Sequence, residues 1–210
     1  MSDCNESPRF VERLGDERWL EYYSNNPITK LLIRNFFAEL KKVIGLLGPD
    51  DKILEVGCGT GESSRWILSF LSGQHFEVSE VENKYVEKLR EVQFPVTVTQ
   101  ESVCELKRDQ DDFDCIFLLE VLEHLEDYEL ALKELFRVSR KYVVISIPDE
   151  PLWRILNCLR GRYLKDWGNT PGHINHWSTL KIRRLISKYG VVRAVYNPMP
   201  WIIVLAEVQK

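Results

Sequence analysis

The stretch Ile53-Leu54-Glu55-Val56-Gly57-Cys58-Gly59-Thr60-Gly61 decides the fold of this 210-residue chain. An apolar burst leads directly into three glycines at alternate positions, and a helix-compatible run follows from Glu62 to Leu71. This order predicts a buried strand, a tight turn and a helix start, the first unit of a βαβ fold. Glycine suits such a turn because it accepts positive φ and lets backbone N–H groups approach a ligand. The N-terminus of the following helix favours an anionic group such as a carboxylate or a phosphate.

The glycine spacing narrows the class of ligand. A dinucleotide-binding turn has the pattern G-x-G-x-x-G, whereas this turn is G-x-G-x-G and has Glu62 where the last glycine would stand. The spacing therefore disfavours a dehydrogenase. No lysine follows in the register of a P-loop, which argues against a nucleoside triphosphate site.

The segment Leu54–Gly61, reading LEVGCGTG, closely resembles motif I of the class I S-adenosylmethionine (SAM)-dependent methyltransferases, in particular those of the type 11 kind. The resemblance covers roughly residues 50–150. It implies that the cofactor is SAM, that the product is S-adenosylhomocysteine, and that motif I holds the methionine end. The cofactor-binding residues that it implies in this motif are Glu55, Gly57, Cys58, Gly59 and Gly61.

Composition and charge predict an ordinary globular protein. The net charge is −4, the pI is about 5.7, and acidic and basic residues are interspersed, so a nucleic-acid partner is not expected. Five cysteines without a C-x-x-C pair indicate reduced thiols rather than disulfides. The polar N-terminus does not look like a signal peptide, and the apolar runs are too short to span a bilayer. We therefore expect a soluble, cytoplasmic protein without a membrane span.

The hydrophobic pattern predicts an α/β fold, a Rossmann-like seven-stranded mainly parallel sheet with helices on both faces and an antiparallel C-terminal hairpin. We expect one methyltransferase domain over residues 1–210, in which residues 1–48 form a helical N-terminal extension or lid. The extension would contain a helix from Arg9 to about Tyr23 and a second from Pro27 to about Leu47. Later in the chain, Ser178 is a plausible N-cap for a helix that ends near Tyr189.

An acid at the end of the second strand is expected to hold the ribose. Glu80 lies 23 residues after Gly57, the spacing at which α/β nucleotide folds place such an acid. An error of register would make Glu77 or Glu82 the ribose acid instead. The family resemblance adds Val81 to the cofactor site, and it places Ser102 and Val103, in the loop after the third strand, beside the adenine. At the end of the fourth strand it adds Leu119 and Glu120.

Glu120, Glu123 and His124 form the pattern that carries chemistry, because the spacing i, i+3, i+4 puts them on one side of a helical turn. In a first interpretation, Glu120 lines the SAM pocket, while Glu123 and His124 cap the next helix. With His173, the same residues resemble the metal site of small-RNA 2′-O-methyltransferases and of some quinone O-methyltransferases. A third interpretation makes His124 or His173 a general base without a metal. We predict His173 and His124 as the catalytic residues; a divalent metal held by Glu120, Glu123, His124 and His173 is compatible with the pattern but not expected.

These features predict a SAM-dependent methyltransferase that acts on a small-molecule acceptor, with oxygen as the preferred atom. Within enzymes, the alternative is an RNA-terminus methyltransferase, which the Glu/Glu/His/His pattern favours and the acidic pI disfavours. From another class, the chain would be a non-catalytic SAM-binding partner subunit. The sequence leaves the acceptor's identity, the attacked atom and the oligomeric state open.

Overall fold

A seven-stranded sheet forms the centre of the computed structural model, which describes residues 26–209. The strands are β1 (Lys52–Val56), β2 (His75–Glu80), β3 (Thr97–Gln100), β4 (Phe113–Leu119), β5 (Ser139–Pro148), β6 (Gly190–Tyr196) and β7 (Trp201–Val208). Their order across the sheet is β3-β2-β1-β4-β5-β7-β6; β7 pairs antiparallel with both β5 and β6, and the other neighbouring pairs of these strands are parallel. The α/β fold with an antiparallel C-terminal hairpin is therefore confirmed.

Helices cover both faces of this sheet. They are α1 (Pro27–Ile44), α2 (Glu62–Phe70), α3 (Asn83–Glu91), α4 (Tyr128–Val138), α5 (Leu152–Leu159) and α6 (Thr179–Ile186). Alternate residues of β1 and β4 enter two separate apolar clusters, because successive side chains of a strand point to opposite faces. One cluster contains α4 and α6, and the other contains α1 with the buried residues of α2 and α3. The sheet is thus buried on both sides, as a mainly parallel sheet requires.

Helix α1 is part of the core. Its N-cap Asn26 accepts a hydrogen bond from the Ile28 backbone N–H at 2.8 Å, and Pro27 occupies the first turn, as expected. Phe37 is buried and stacks on Trp66, with ring centroids 4.6 Å apart. The other expected N-terminal helix lies outside the described residues. The extension over residues 1–48 and the one-domain boundary therefore remain predictions.

The expected elements lie within a few residues of those in the structure. Ser178 does occupy the N-cap position of α6, but its side chain makes no capping hydrogen bond. Among the described residues, four cysteines are free thiols, and no helix is long and apolar enough to cross a membrane.

Candidate active site

The glycine turn after β1 has the backbone geometry that the sequence predicts. Gly57, Gly59 and Gly61 have φ values of 73°, 53° and 81°, in the region where side chains are disfavoured. A Cβ added to Gly57 would also lie 2.6 Å from Cγ2 of Val121. The turn is therefore packed directly against the loop that follows β4, and this contact joins the expected cofactor site to the loop that carries Glu120, Glu123 and His124.

Glu80 lies beside this turn. Its Oε2 accepts a hydrogen bond from the Gly59 backbone N–H at 2.8 Å, and its Oε1 accepts bonds from the N–H groups of Val81 and Glu82 at 2.8 and 3.0 Å. Each carboxylate oxygen has two lone pairs, so Oε2, which accepts one of these bonds, retains acceptor capacity for a ribose hydroxyl. The two competing acids are used elsewhere: Glu77 is paired with Arg108, and the exposed Glu82 with Lys84.

Glu55, the acid of motif I, is held by the helix that follows the turn. The Ser63 and Ser64 hydroxyls each donate a hydrogen bond of 2.5 Å to its carboxylate. Complete burial raises the pKa of Glu55 to about 7, and the two serine bonds partly oppose that rise. These two hydrogen bonds were not predicted, because serine at the start of a helix has no distinctive pattern that would indicate Glu55 as its partner. A direct contact of Glu55 with the cofactor remains a prediction.

The loop after β3 lies against the end of β2, where the adenine is expected. The Glu101 N–H donates to the Glu80 carbonyl at 3.2 Å, and the Gln100 side chain donates to the Val81 carbonyl at 3.2 Å. Val81 itself is exposed, whereas Val103 is buried and the Ser102 hydroxyl accepts a bond from the Cys104 N–H at 3.2 Å. The loop therefore has the expected position, and its contacts with adenine remain predictions.

Two buried hydroxyls indicate that the turn is built to receive a polar ligand. Oγ1 of Thr60, inside the turn, and Oγ of Ser79, at the end of β2, have no hydrogen-bond partner within residues 26–209. Buried polar groups are normally paired. Together with the Glu80 carboxylate and the positive-φ glycines, these atoms fit a cofactor that carries hydroxyl and charged groups, as SAM does.

Glu120 follows the buried Leu119 at the end of β4 and has a positive φ of 58°. Its N–H donates to the Ser146 carbonyl, and Ser146 Oγ donates to Glu120 Oε1 at 2.7 Å. Burial raises the pKa of this carboxyl to about 7. Glu120 is thus held by a partner on β5.

Glu123, His124 and His173 form the second centre of the site, which we call the Glu–His cluster. One potential ligand atom from each residue lies within 4.8 Å of the other two. Glu123 and His173 are buried, and His124 is exposed. Glu120, the fourth metal candidate of the sequence analysis, is not a member of this group. Both predicted catalytic histidines are, although the chain separates them by a helix, a strand and another helix.

Backbone contacts fix the Glu–His cluster in place. Glu123 and His124 end a 3₁₀ turn over Leu122–His124, and the Glu123 carbonyl accepts hydrogen bonds from the Ile174 and Asn175 N–H groups at 3.0 and 3.1 Å. His124 Nδ1 lies 2.9 Å from the Gly172 carbonyl oxygen, so a neutral ring donates from Nδ1 and leaves Nε2 free as an acceptor. The segment around His173 is therefore anchored directly to the loop after β4.

The buried members of the cluster have unused polar atoms. Glu123 Oε2 and His173 Nδ1 have no hydrogen-bond partner in the described part of the chain. Burial, together with the nearby His124 and His176, lowers the pKa of His173 to about 4. Burial also raises the pKa of Glu123, and the neighbouring carboxyls of Glu120 and Glu150 add to the rise. The cluster therefore offers a neutral imidazole and a carboxyl group for which a bound cation would be favourable.

Glu150, two residues after the end of β5, was not predicted as a site residue from the sequence. Its carboxyl is buried, both oxygens have no hydrogen-bond partner within residues 26–209, and His176 Nδ1 lies 3.7 Å away. The available signal was an acidic residue directly before a proline, just after the carboxyl end of a strand, where ligands bind in open α/β sheets.

Comparison with known proteins agrees with this geometry. A family model described as a methyltransferase domain matches residues 27–192. A 2-methyl-6-phytyl-1,4-hydroquinone methyltransferase from Synechocystis sp. is 28% identical over 143 residues, which are 64% of this chain and 45% of that protein. The chain thus spans less than half the length of this relative.

Solved structures share the fold. The magnesium protoporphyrin IX methyltransferase of Synechocystis PCC 6803, solved with bound S-adenosylhomocysteine, superposes with a TM-score of 0.66 at 18% identity, covering 99% of this chain and 100% of that one. A methyltransferase in complex with the Haloferax volcanii Trm112 activator gives 0.69 at 12% identity, covering 96% and 98%.

The assignment of this chain to the type 11 kind of methyltransferase remains a prediction. The broader family is shown by the match of the family model over most of the chain, and the glycine turn with its neighbouring acid agrees with it. The chain belongs to the class I SAM-dependent methyltransferase family, whose cofactor is S-adenosylmethionine.

Proposed function

We propose that this protein transfers a methyl group from SAM to an oxygen atom of a small, ring-bearing molecule. The observation that carries the proposal is the position of the Glu–His cluster. It is built on the loop whose Val121 packs against Gly57 of the cofactor turn. A residue that acts on the acceptor has to lie beside the cofactor in this way, because methyl transfer requires the two reactants to be aligned.

The reaction is a displacement at carbon. An acceptor oxygen forms the new C–O bond with the methyl carbon, the S–C bond of the sulfonium breaks with its electron pair left on sulfur, and the hydroxyl proton passes to a base. Because the sulfonium loses its charge in the transition state, alignment of the reactants supplies much of the acceleration. The protein still has to help a hydroxyl lose its proton, and His173 and His124 are the side chains that we assign to this task.

The composition of the Glu–His cluster favours a bound divalent cation as the group that helps the acceptor hydroxyl to lose its proton. Two imidazoles and one carboxylate form a set of nitrogen and oxygen ligands suited to first-row transition metals. A cation there would lower the pKa of a bound hydroxyl group. It would also stabilise the ionised form of the Glu123 carboxyl, which burial disfavours, and a histidine base alone does not do this. The sequence made a divalent metal compatible with this pattern but not expected, and the proposal goes beyond that expectation; an unaided His173 base is the alternative.

The similar proteins support a small-molecule acceptor. One relative is named for a hydroquinone and one structural neighbour for a porphyrin. An RNA-terminus substrate and a non-catalytic partner role are the two competing proposals. The neighbour crystallised with an activator protein favours testing the second of these.

The experiment has two stages. Calorimetry first measures S-adenosylhomocysteine binding, with Glu80→Ala as the variant expected to weaken it. Radiolabelled SAM is then offered with hydroquinones, aromatic amines and a short RNA that has a free 3′ end. Label in an ether product of a hydroquinone supports the proposal. Label in RNA or in an amine, or tight cofactor binding without any transfer across acceptors, would overturn it.

A further inference from the structure

Helix α5 and the turn after it expose a group of large apolar side chains, which we call the α5 surface. It consists of Ile155, Leu159, Tyr163, Leu164 and Trp167. Leu159 and Trp167 are 78% and 80% exposed. Ile155, Leu159 and Trp167 lie together, because they line the same groove of about 520 Å³. Scattered apolar residues are common on protein surfaces, but a contiguous group of this kind indicates an interaction site.

The backbone holds Trp167 in its outward position. Its φ is 52°, a conformation that costs a bulky residue about 1–2 kcal/mol. Arg154 Nε donates to the Trp167 carbonyl at 3.0 Å, and the Asn157 side chain donates to the Gly168 carbonyl at 2.9 Å. A Cβ at Gly168 would lie 2.1 Å from the Arg154 carbonyl oxygen. The turn is therefore closely packed against α5, and this packing leaves the indole in solvent.

Basic residues are interspersed with these apolar side chains along the sequence. Residues 151–168 contain four basic side chains (Arg154, Arg160, Arg162 and Lys165) and one acidic side chain, Asp166, whereas the whole chain has a net charge of −4. Arg160, Arg162 and Lys165 are exposed. A local excess of positive charge beside exposed leucine and tryptophan is unusual in an acidic protein.

We propose that the α5 surface docks on an anionic lipid bilayer. Apolar side chains of an amphipathic helix enter the boundary between headgroups and acyl chains, and tryptophan is well suited to that depth. Lysine and arginine beside them are attracted by anionic headgroups, each worth about 1 kcal/mol near the surface. A protein partner would account for the exposed apolar side chains but not for the basic residues beside them. Charge complementarity therefore favours the lipid surface.

The α5 surface and the Glu–His cluster are joined by the same helix. The Trp153 ring stacks against the His173 ring, with centroids 6.4 Å apart, and Trp153 Nε1 donates to Thr170 Oγ1 at 2.9 Å. Docking would hold the acceptor side of the site close to the bilayer. The acceptor would then be an amphiphile drawn from the membrane; this part rests on the proposed methyl transfer, whereas bilayer binding does not.

Flotation with vesicles tests the docking in the absence of SAM. The full chain is mixed with vesicles of phosphatidylcholine, or of phosphatidylcholine and phosphatidylglycerol in about a 2:1 ratio. We expect binding to the anionic vesicles that weakens with salt. The double variant Leu159→Ser/Trp167→Ser should bind at least roughly tenfold less. A matched control, Leu130→Ser/Leu180→Ser, removes two exposed leucines from α4 and α6 and should bind normally.

A second measurement does not depend on variants that alter the fold. Brominated lipids should quench tryptophan fluorescence in the wild type, and Trp167→Phe should lose most of that quenching while it still binds. Three results would overturn the proposal: no binding to anionic vesicles, an equal loss in the control variant, or a dimer in sedimentation that Leu159→Ser/Trp167→Ser dissociates. Because no methyl transfer is measured, a failure here is separate from a failure of the proposed reaction.

Discussion

His124 and His173 meet edge to face, with ring centroids 4.9 Å apart and planes at 80°. The contact joins the loop after β4 to the segment between α5 and α6. Val121 of that loop packs on Gly57, so the two histidines lie close to the cofactor turn but are not part of it. A substitution of either histidine should therefore leave the cofactor turn itself intact. This separation makes the roles of the two sites distinguishable by mutation.

Replacing His173 with alanine should lower turnover and leave cofactor binding near the wild-type value. The loss of a group that assists proton removal is expected to reduce the rate about 10²–10⁴-fold. Methyl transfer at saturating SAM measures the first quantity, and calorimetry with S-adenosylhomocysteine measures the second. His75→Ala is the control, because His75 is an exposed residue at the start of β2, paired with Glu77. Equal losses of SAM affinity and turnover in His173→Ala would show a structural role instead.

The Glu–His cluster should bind one divalent transition-metal ion in the metal-free protein. Calorimetric titration with Zn²⁺ or Mn²⁺ is expected to show a single site, which a chelator empties. Glu123→Gln keeps the size of the side chain but removes the anionic ligand, so its affinity should fall at least about tenfold. His75→Ala should bind the ion as the wild type does. Activity that survives chelation, with no bound ion, would leave His173 as an unaided base.

Sequence could predict the cofactor half of the site because that half is local. Glu55, Gly57, Gly59 and Gly61 lie in one strand–turn unit, and Glu80 follows from the strand spacing of the fold. Glu123 and His124 were recognised as candidates by their spacing after β4, and His173 by the family resemblance. Their proximity depends on how the segment after β5 returns to the loop after β4. Hydrogen bonds to the Glu123 carbonyl determine that return, and no periodicity encodes them.

The side-chain partners were the least predictable part. Ser63, Ser64 and Ser146 hold the acidic side chains Glu55 and Glu120, yet serine at these positions has no distinctive pattern in the sequence. Such partners are determined by the packing of neighbouring elements, which is a tertiary property.

Glu80→Gln should weaken SAM binding about ten- to a hundredfold, because it removes a charged acceptor and preserves the shape of the side chain. Calorimetry with SAM measures the change. Glu82→Gln is the matched control: Glu82 is two residues away, exposed and paired with Lys84. A larger effect in Glu82→Gln or in Glu77→Gln than in Glu80→Gln would mean that the ribose acid is misassigned.

Arg108→Ala should destabilise the fold, because it leaves two carboxylates without their cation. Arg108 pairs with Glu77 at 2.9 Å and with Glu101 at 3.1 Å, and the Glu101 side chain is fully buried. Removing one partner of a buried pair typically costs about 3–5 kcal/mol. Arg140→Ala, which removes a more exposed arginine, should change the free energy of unfolding by less than about 1 kcal/mol. Urea unfolding measures both; similar midpoints for the two variants would contradict the expectation.

The burial of Glu55 should make the stability of the cofactor-free protein depend on pH. Its pKa is about 7 in the folded protein and 4.5 for the ordinary side chain. Between these values the folded protein keeps a proton that the unfolded chain has released, so stability falls as pH rises from about 4.5 to about 7. The difference corresponds to about 3 kcal/mol, which is fully lost above the folded pKa.

Glu55→Gln removes this titration while keeping two polar atoms for Ser63 and Ser64. We therefore expect the variant to gain stability relative to the wild type as pH rises through that window, by about 2–3 kcal/mol between its two ends. Urea unfolding at a series of pH values gives the difference, in which the titrations of other buried acids, including Glu120, cancel. Glu82→Gln, an exposed acid, should show a constant difference from the wild type. A Glu55→Gln difference that is equally constant would mean that Glu55 is ionised throughout, and that the serine hydrogen bonds outweigh its burial.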